Sequence, residues 1–167
     1  MIYWGVLPLA LVVAAAAAAG DHVRVLASDC RPASIAELDT SGAAAWVGWQ
    51  GFVDSCPLRS GKGAVVLSLV APSLRRMGLA APREHPFAAG PLPPTLVVDR
   101  SGNVLARLGV SFPYDDPGET RIAFSDWRRG FPWRIDVRRI NAAVFGTYSL
   151  DPLIWDPRTR GYEERPE

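Results

Sequence analysis

FPWRIDVRR, residues 131–139, places apolar side chains at four alternate positions and mostly charged side chains between them. Successive side chains of a β-strand point to opposite faces of its sheet. The apolar set therefore predicts a core-facing surface, and the set that contains Arg134, Asp136 and Arg138 predicts a surface in solvent. This stretch predicts a half-buried strand of an antiparallel sheet with one solvated face.

The residues around this stretch also have strand patterns. Three further strands are predicted beside it, at residues 120–125, 144–150 and 153–155. Upstream, residues 95–110 predict a β-hairpin whose turn contains Gly102 and Asn103. We therefore expect a β-rich half at residues 95–158, built as an antiparallel β-meander, and a polar tail at residues 159–167.

The N-terminal half, residues 21–80, has a more mixed pattern. AVVLSLV at residues 64–70 is a short, continuous and β-branched run, which predicts a buried strand. Ser34 stands where an N-cap is expected for a short helix at residues 35–38. Residues 73–79 predict one or two further helical turns. We therefore expect short helices in this half.

A connector at residues 81–94, rich in proline, joins the two halves. It is too short and too apolar to be a free linker between separate domains, so we expect a single domain at residues 21–167. The predicted fold class is α+β: an N-terminal region with short helices, pinned by a disulfide, followed by an antiparallel β-meander.

The first twenty residues, MIYWGVLPLALVVAAAAAAG, carry no charged side chain and end in small residues. They predict a cleaved signal peptide at residues 1–20, with an uncleaved membrane anchor as the alternative. Export takes the chain to an oxidising compartment, so we expect Cys30 and Cys56 to form a disulfide. The expected location is the secretory pathway, the extracellular space or a virion envelope, or the periplasm if the source is bacterial.

A net charge of +1 gives the chain no strong attraction for nucleic acid or anionic membranes, and neither is expected as a direct partner. The two histidines, His22 and His85, are far apart, and both cysteines are assigned to the disulfide. No catalytic residue, metal site or cofactor is therefore predicted, and we expect a protein that is not an enzyme. Cys56, followed by Pro57, is a less favoured alternative as a redox nucleophile.

Aromatic residues are frequent for a domain of this size. The chain contains six tryptophans, of which Trp4 lies in the predicted leader. Trp46, Trp49 and Phe52 stand close together in an apolar segment before Cys56, and tryptophan is enriched at binding hot spots. We predict these three as partner-binding residues, with burial in the core as the alternative explanation for the tryptophans.

Four short motifs follow one another along residues 30–80. They are Cys30-Arg31-Pro32, Gly51-Phe52-Val53 leading to Cys56-Pro57, the apolar run at residues 64–70, and Pro72 followed by Gly78-Leu79. This order resembles glycoprotein L of herpesviruses, the small secreted subunit that pairs with glycoprotein H when the virus enters its host cell. The resemblance implies a binding subunit that forms a heterodimer with glycoprotein H, acts in membrane fusion and reaches the membrane only through that partner.

Two other resemblances supply alternatives. Residues 94–102 resemble the cis-proline and following hairpin of exported thioredoxin-like proteins, which implies a degenerate member with a cis bond at Pro94 facing Cys56. Residues 120–139 are similar to the curved sheet of bacterial lipoprotein-carrier proteins. That similarity implies a periplasmic carrier of lipid or another hydrophobic ligand, with a concave apolar sheet.

Overall fold

The computed structural model describes residues 22–36, 38, 46, 48–77, 92–115, 118–141 and 146–166, which form twelve strands in two antiparallel sheets. The smaller sheet contains, in spatial order, β2 (Arg31–Pro32), β3 (Val53–Arg59), β4 (Val65–Pro72), β5 (Thr95–Val98) and β6 (Val104–Leu108). The larger sheet contains β1 (Val23–Arg24), β7 (Tyr114–Asp115), β8 (Gly118–Arg128), β9 (Phe131–Asn141), β10 (Gly146–Ser149), β11 (Leu153–Asp156) and β12 (Gly161–Glu164). Its order is β1-β8-β9-β11-β12, with β7 also paired to β8 and β10 to β9.

The predicted α+β class is wrong, because 55% of the described residues lie in strands and no helix among them reaches seven residues. The helical elements are a 3-10 turn at Ala27–Asp29 and α1 at Leu74–Met77. The Ser34 hydroxyl does accept a hydrogen bond from the Ala36 amide (3.2 Å), but no helix follows in the described residues. Segments this short make too few hydrogen bonds to offset the unfavourable first turn of a helix.

The smaller sheet is covered on both faces, which explains the continuous apolar run at its centre. Leu67 and Leu69 of β4 belong to the core that this sheet shares with the larger one. Val70 belongs to a second cluster on the opposite face, together with Trp46 and Trp49. A strand buried on both faces needs apolar residues at consecutive positions. The buried strand predicted here is confirmed as β4.

The larger sheet is apolar on one face and polar on the other. Ile135 and Val137 of β9 are buried in the shared core, as are Ile122 and Phe124 of β8. Arg138, the next residue along β9, is exposed on the opposite face. The half-buried strand predicted from the alternation is therefore confirmed, and its charged positions form an outer surface of the molecule.

The β5–β6 hairpin is confirmed, but it does not belong to the sheet of the strands that follow it. Leu96, Val97 and Val98 of β5 pair with β4, so the hairpin completes the smaller sheet. The strands on either side of the connector, β4 and β5, thus belong to the same sheet, and the chain returns with β7 to the larger sheet, which also contains β1. Residues 81–91 of the connector lie outside the described residues.

The segment predicted as a polar tail contains β12, which pairs with β11. Its buried Tyr162 donates a hydrogen bond from the hydroxyl to the Pro132 carbonyl (2.7 Å), and burial raises the pKa of this phenol. The ring packs against those of Phe131 and Trp155. These contacts hold the last strand of the chain against β9.

Two strands from different sheets approach closely at Gly161. A Cβ at this position would lie 3.1 Å from the Leu105 carbonyl oxygen of β6. Side chains rarely fit so close to a backbone atom, so glycine lets β12 pass β6 at this distance.

The predicted disulfide between Cys30 and Cys56 is confirmed. Arg31 of β2 pairs with Ser55 of β3, so the two cysteines face each other at the adjacent position of the same antiparallel register. The bond therefore extends a ladder in which β2 is only two residues long.

Arg76 of α1 joins this helical turn to β3. Its guanidinium donates hydrogen bonds to the carbonyls of Gly51 (2.9 Å) and Val53, and forms an ion pair with Asp54 (3.0 Å). It also donates to the Ser73 hydroxyl (3.0 Å), which in turn donates to Asp54 (2.6 Å). One planar group thus satisfies several partly buried acceptors at once.

Candidate functional site

The outer face of the larger sheet contains a hollow of about 850 Å³, which we call the arginine hollow. Its floor lies on β8, where Ala123 and Ser125 face outward. The sheet surface is concave here because these two side chains are small and those on the flanking strands are long. The charged lining consists of four arginines and two aspartates: Arg24, Arg121, Arg134, Arg138, Asp126 and Asp136.

Strand pairing explains why these side chains meet. Arg24 of β1 lies opposite Ala123, and Asp136 of β9 lies on the other side of Ala123. Two residues along β8, Arg121 lies directly opposite Arg138. Outward positions are about 7 Å apart along a strand and about 5 Å apart across neighbouring strands, so these long side chains share one volume.

Two arginines of the hollow are paired with carboxylates on their own strands. Arg121 forms an ion pair with Glu119 (2.9 Å), and its hydrogen bond holds the pKa of Glu119 below the ordinary value. Arg134 forms an ion pair with Asp136 (2.8 Å), which also accepts a hydrogen bond from the Ser125 hydroxyl (3.4 Å). These ion pairs neutralise part of the positive charge on the outer face of the larger sheet.

One end of the hollow is shaped by the turn between β8 and β9. Arg129 and Gly130 both have positive φ (53° and 79°), as a two-residue type I′ hairpin requires. Just before the turn, Arg128 forms an ion pair with Asp126 (2.7 Å) and lies 4.0 Å from the centre of the Trp133 ring. The Asp126 carboxylate is therefore already paired with an arginine of its own hairpin.

Arg138 and Arg24 differ from the paired arginines. Within the described part of the chain, neither side chain forms an ion pair or a side-chain hydrogen bond. Arg24 contributes a longer-range attraction to Glu119, and Arg138 faces the like charge of Arg121. Like charges at directly opposed positions destabilise an antiparallel pair. The face therefore holds two guanidinium groups whose charge has no close partner, on opposite sides of β8.

This arrangement is suited to bind an anion with several oxygen atoms. A guanidinium donates parallel hydrogen bonds that fit carboxylate, sulfate and phosphate groups. Over the described residues, no group of three or more His, Cys, Asp or Glu side chains is placed to hold a metal ion. The chemistry that the hollow offers is therefore recognition of negative charge.

The predicted partner-binding residues lie elsewhere. Trp46 and Trp49 are 0% and 1% exposed, and they pack together in the second cluster over the smaller sheet. Phe52 is partly buried against the same cluster. The structure brings the three residues together, but it places both tryptophans below the surface as a cover for the smaller sheet. Their role in partner binding stays a prediction.

The described residues also differ from what the thioredoxin-like and lipoprotein-carrier resemblances imply. The cis peptide bond found among the described residues is Phe112–Pro113 rather than the bond before Pro94. Cys56 is buried and bonded to Cys30, so it offers no free thiol. The concave sheet surface exists, but its lining is charged and polar where a lipid carrier requires an apolar one.

No protein-family model, curated protein or solved structure matches the chain. No helix in the described ranges is long and apolar enough to cross a membrane. The predicted leader at residues 1–20 and His85 lie outside the described residues.

Sequence patterns identify Arg134 and Arg138 as solvent-facing, but they do not identify Arg24 and Arg121 as their neighbours. A signal for Arg121 exists, because residues 120–125 carry apolar Ile and Phe at alternate positions and Arg, Ala and Ser between them. It assigns Arg121 to a solvated face. Only the pairing register places that residue opposite Arg138.

Proposed function

We propose that the chain is an exported, non-enzymatic binding subunit whose recognition surface is the outer face of the larger sheet. The observation that carries the proposal is the arginine hollow, where Arg24 and Arg138 lie on a solvent-facing surface and form no ion pair with any residue that the structure describes. Arginine is enriched at protein interfaces, because its planar guanidinium makes several directed hydrogen bonds at once. A concave face that concentrates such groups is suited to a macromolecular partner.

In its most specific form, the proposal is that the partner is a membrane glycoprotein, and that the chain acts as glycoprotein L does with glycoprotein H in herpesvirus fusion. Two motifs of that resemblance, Cys30-Arg31-Pro32 and Cys56-Pro57, lie side by side on β2 and β3 and are joined by the disulfide. Residues far apart in sequence thus form one structural unit, which supports reading them as a single motif. The partner would then retain this chain at the membrane.

The test is affinity purification of the tagged chain from its native cells, followed by mass spectrometry. We expect one membrane glycoprotein in stoichiometric amount, and identification of glycoprotein H would support the specific form. A double variant, Cys30→Ala with Cys56→Ala, should lose the partner, because β2 and the segment after it lose their covalent link to β3. Arg107→Glu, at an exposed position of β6, is the control and should keep the partner.

Two results would contradict the proposal. One is recovery of the wild-type chain alone, or with lipid in its organic extract in place of a protein. The other is normal association of the cysteine-free variant, which would count against the glycoprotein L form because that form depends on the disulfide-joined motif.

A further inference from the structure

We propose that the arginine hollow binds an acidic, extended polypeptide segment of the partner protein, whose carboxylates pair with Arg24 and Arg138. This inference rests on the proposed function and specifies the chemistry of the partner. It is carried by the shape of the hollow, by its charge pattern and by the cross-strand arrangement of its arginines.

The shape of the hollow gives room for an extended chain. The small outward residues Ala123 and Ser125 form a floor along β8, and the side chains of β1 and β9 stand on either side. Arg24 and Arg138 are separated by β8, so their backbones are about 10 Å apart across the strands. Two carboxylates on one extended segment can pair with the two guanidinium groups separately, because alternate side chains of such a segment are about 7 Å apart.

The charge pattern indicates a ligand with separate negative groups. Among the described residues, Arg24 and Arg138 have no carboxylate within ion-pair distance, whereas Arg121 and Arg134 are already paired with Glu119 and Asp136. A guanidinium binds a carboxylate through two parallel hydrogen bonds, which makes the uncommitted arginines the natural contacts. The two expected contacts therefore come from different strands and are separated by neutral floor residues.

The carboxylates within and beside the hollow argue against a ligand with closely spaced negative charges, such as a sulfated glycan. Asp136 and Asp126 line the same surface, and Glu119 is adjacent to Arg121. A densely sulfated glycan would bring its charges close to these groups and be repelled by them. A polypeptide carries its carboxylates at intervals and has amide donors that can approach the aspartates. The interspersed signs therefore favour a protein segment over a glycan.

The test uses the full mature chain and three probes labelled for fluorescence anisotropy. The first is a short synthetic peptide of alternating Glu and Thr, the second is its Gln analogue, and the third is a heparin-derived oligosaccharide. We expect the Glu peptide to bind at low ionic strength and to weaken between about 0.01 M and about 0.1 M salt, as screening increases. The Gln peptide should bind at least about tenfold more weakly, since charge-assisted hydrogen bonds are lost.

Three variants locate the site. Arg24→Glu and Arg138→Glu should each weaken binding of the Glu peptide by about tenfold or more, because each exchanges an attraction for a repulsion. Arg107→Glu changes the net charge equally on the other sheet and should leave binding within about twofold. Thermal unfolding controls for folding. Arg138→Glu should melt no lower than the wild type, since it places a carboxylate opposite Arg121.

The outcomes separate this inference from the proposed function. Equal weakening by Arg107→Glu would overturn the site, because it would mean general attraction by net charge. Tighter binding of the oligosaccharide than of the Glu peptide, through Arg24 and Arg138, would replace the protein segment with a glycan. If the natural partner is retained by the Arg24→Glu/Arg138→Glu double variant, the proposed function stands and this inference fails. If the Glu peptide binds as expected but no membrane glycoprotein co-purifies, the inference about the hollow stands and the partner proposal fails.

Discussion

Removal of the Cys30–Cys56 disulfide should destabilise the protein strongly, because the bond closes a long loop of the chain. β2 contributes two residues to its ladder with β3, and the cysteines are the next opposed pair of the same register. The chain between them carries Trp46 and Trp49, which cover one face of the smaller sheet. The proposed perturbation is the double variant Cys30→Ala with Cys56→Ala.

The magnitude follows from the length of the closed loop. The two cysteines are 26 residues apart in sequence, and the loop-entropy relation then gives about 3.5 kcal/mol of stabilisation at 25 °C. For a domain of this size, each kcal/mol changes the melting temperature by about 2–4 °C, so the loss corresponds to about 7–14 °C. Removing the buried Cys56 sulfur adds a packing loss to this value.

The assay is urea unfolding of the chain without its predicted leader, followed by tryptophan fluorescence and circular dichroism on the same samples. Wild-type protein with its disulfide reduced is the matched control, because it loses the cross-link but keeps both sulfur atoms. Reduction should reproduce most of the loss, and the urea m-value should increase because the unfolded chain is less compact without the bond. A loss below about 1 kcal/mol in the double variant would refute the loop-entropy reasoning.

Three further substitutions test contacts that join the elements. Gly161→Ala should cost about 1–3 kcal/mol by overpacking against β6, whereas Gly109→Ala, where a Cβ meets no atom within 4 Å, should be nearly neutral in urea unfolding. Tyr162→Phe should cost about 1 kcal/mol through its lost hydrogen bond. Since the pKa of Tyr162 is raised, the wild type should also lose stability as the pH rises above 10, and the variant should not show that part of the loss in unfolding measured across this range. Arg76→Ala should cost about 1–3 kcal/mol, because the Gly51 carbonyl and one Asp54 carboxylate oxygen lose the hydrogen bond from Arg76, with thermal unfolding as the measurement.

Each of these expectations has an outcome that would contradict it. Equal losses for the two glycine variants would mean that the approach of β12 to β6 is not tight. Parallel decline of wild type and Tyr162→Phe above pH 10 would mean that the phenol is not protected by burial. For Arg76, the control is Arg75→Ala on the same helical turn, which removes the same charge from an exposed side chain. A similar loss in that variant would indicate a general charge effect.

The strands were predictable wherever one local pattern determined the structure. The alternation at residues 131–139 predicts β9 and its solvated face, because burial on one side leaves a period of two in the sequence. The Asp99 carboxylate accepts hydrogen bonds from the Ser101 (2.7 Å) and Asn103 (3.0 Å) amides, which explains why the β5–β6 turn was visible as a cluster of turn residues. In these regions local chemistry and tertiary structure agree.

The errors occurred where the sequence pattern was too short to decide between structures. Ser34 is a helix-capping residue type, and its hydroxyl does accept a hydrogen bond from the Ala36 amide, but no helix follows it in the described residues. The segment at residues 161–164 contains a single apolar residue, Tyr162, so its composition resembles that of a tail. Its assignment to β12 depends on pairing with β11 and on the ring contact with Phe131, a residue far away in sequence.

The candidate site depends on register, and this is why the sequence could not supply it. Arg121 and Arg138 are each an ordinary solvent-facing residue until β8 and β9 pair and set the two charges opposite each other. An opposite charge at either position would instead stabilise the pair by roughly 0.2–1 kcal/mol. An exposed strand position tolerates many residues, so folding alone gives no reason for the less stable arrangement. Arg138 is exposed beside a concave floor and has no ion pair in the part of the chain that the structure describes. A loss of stability at such a position is the pattern expected where a surface is kept for binding rather than for folding.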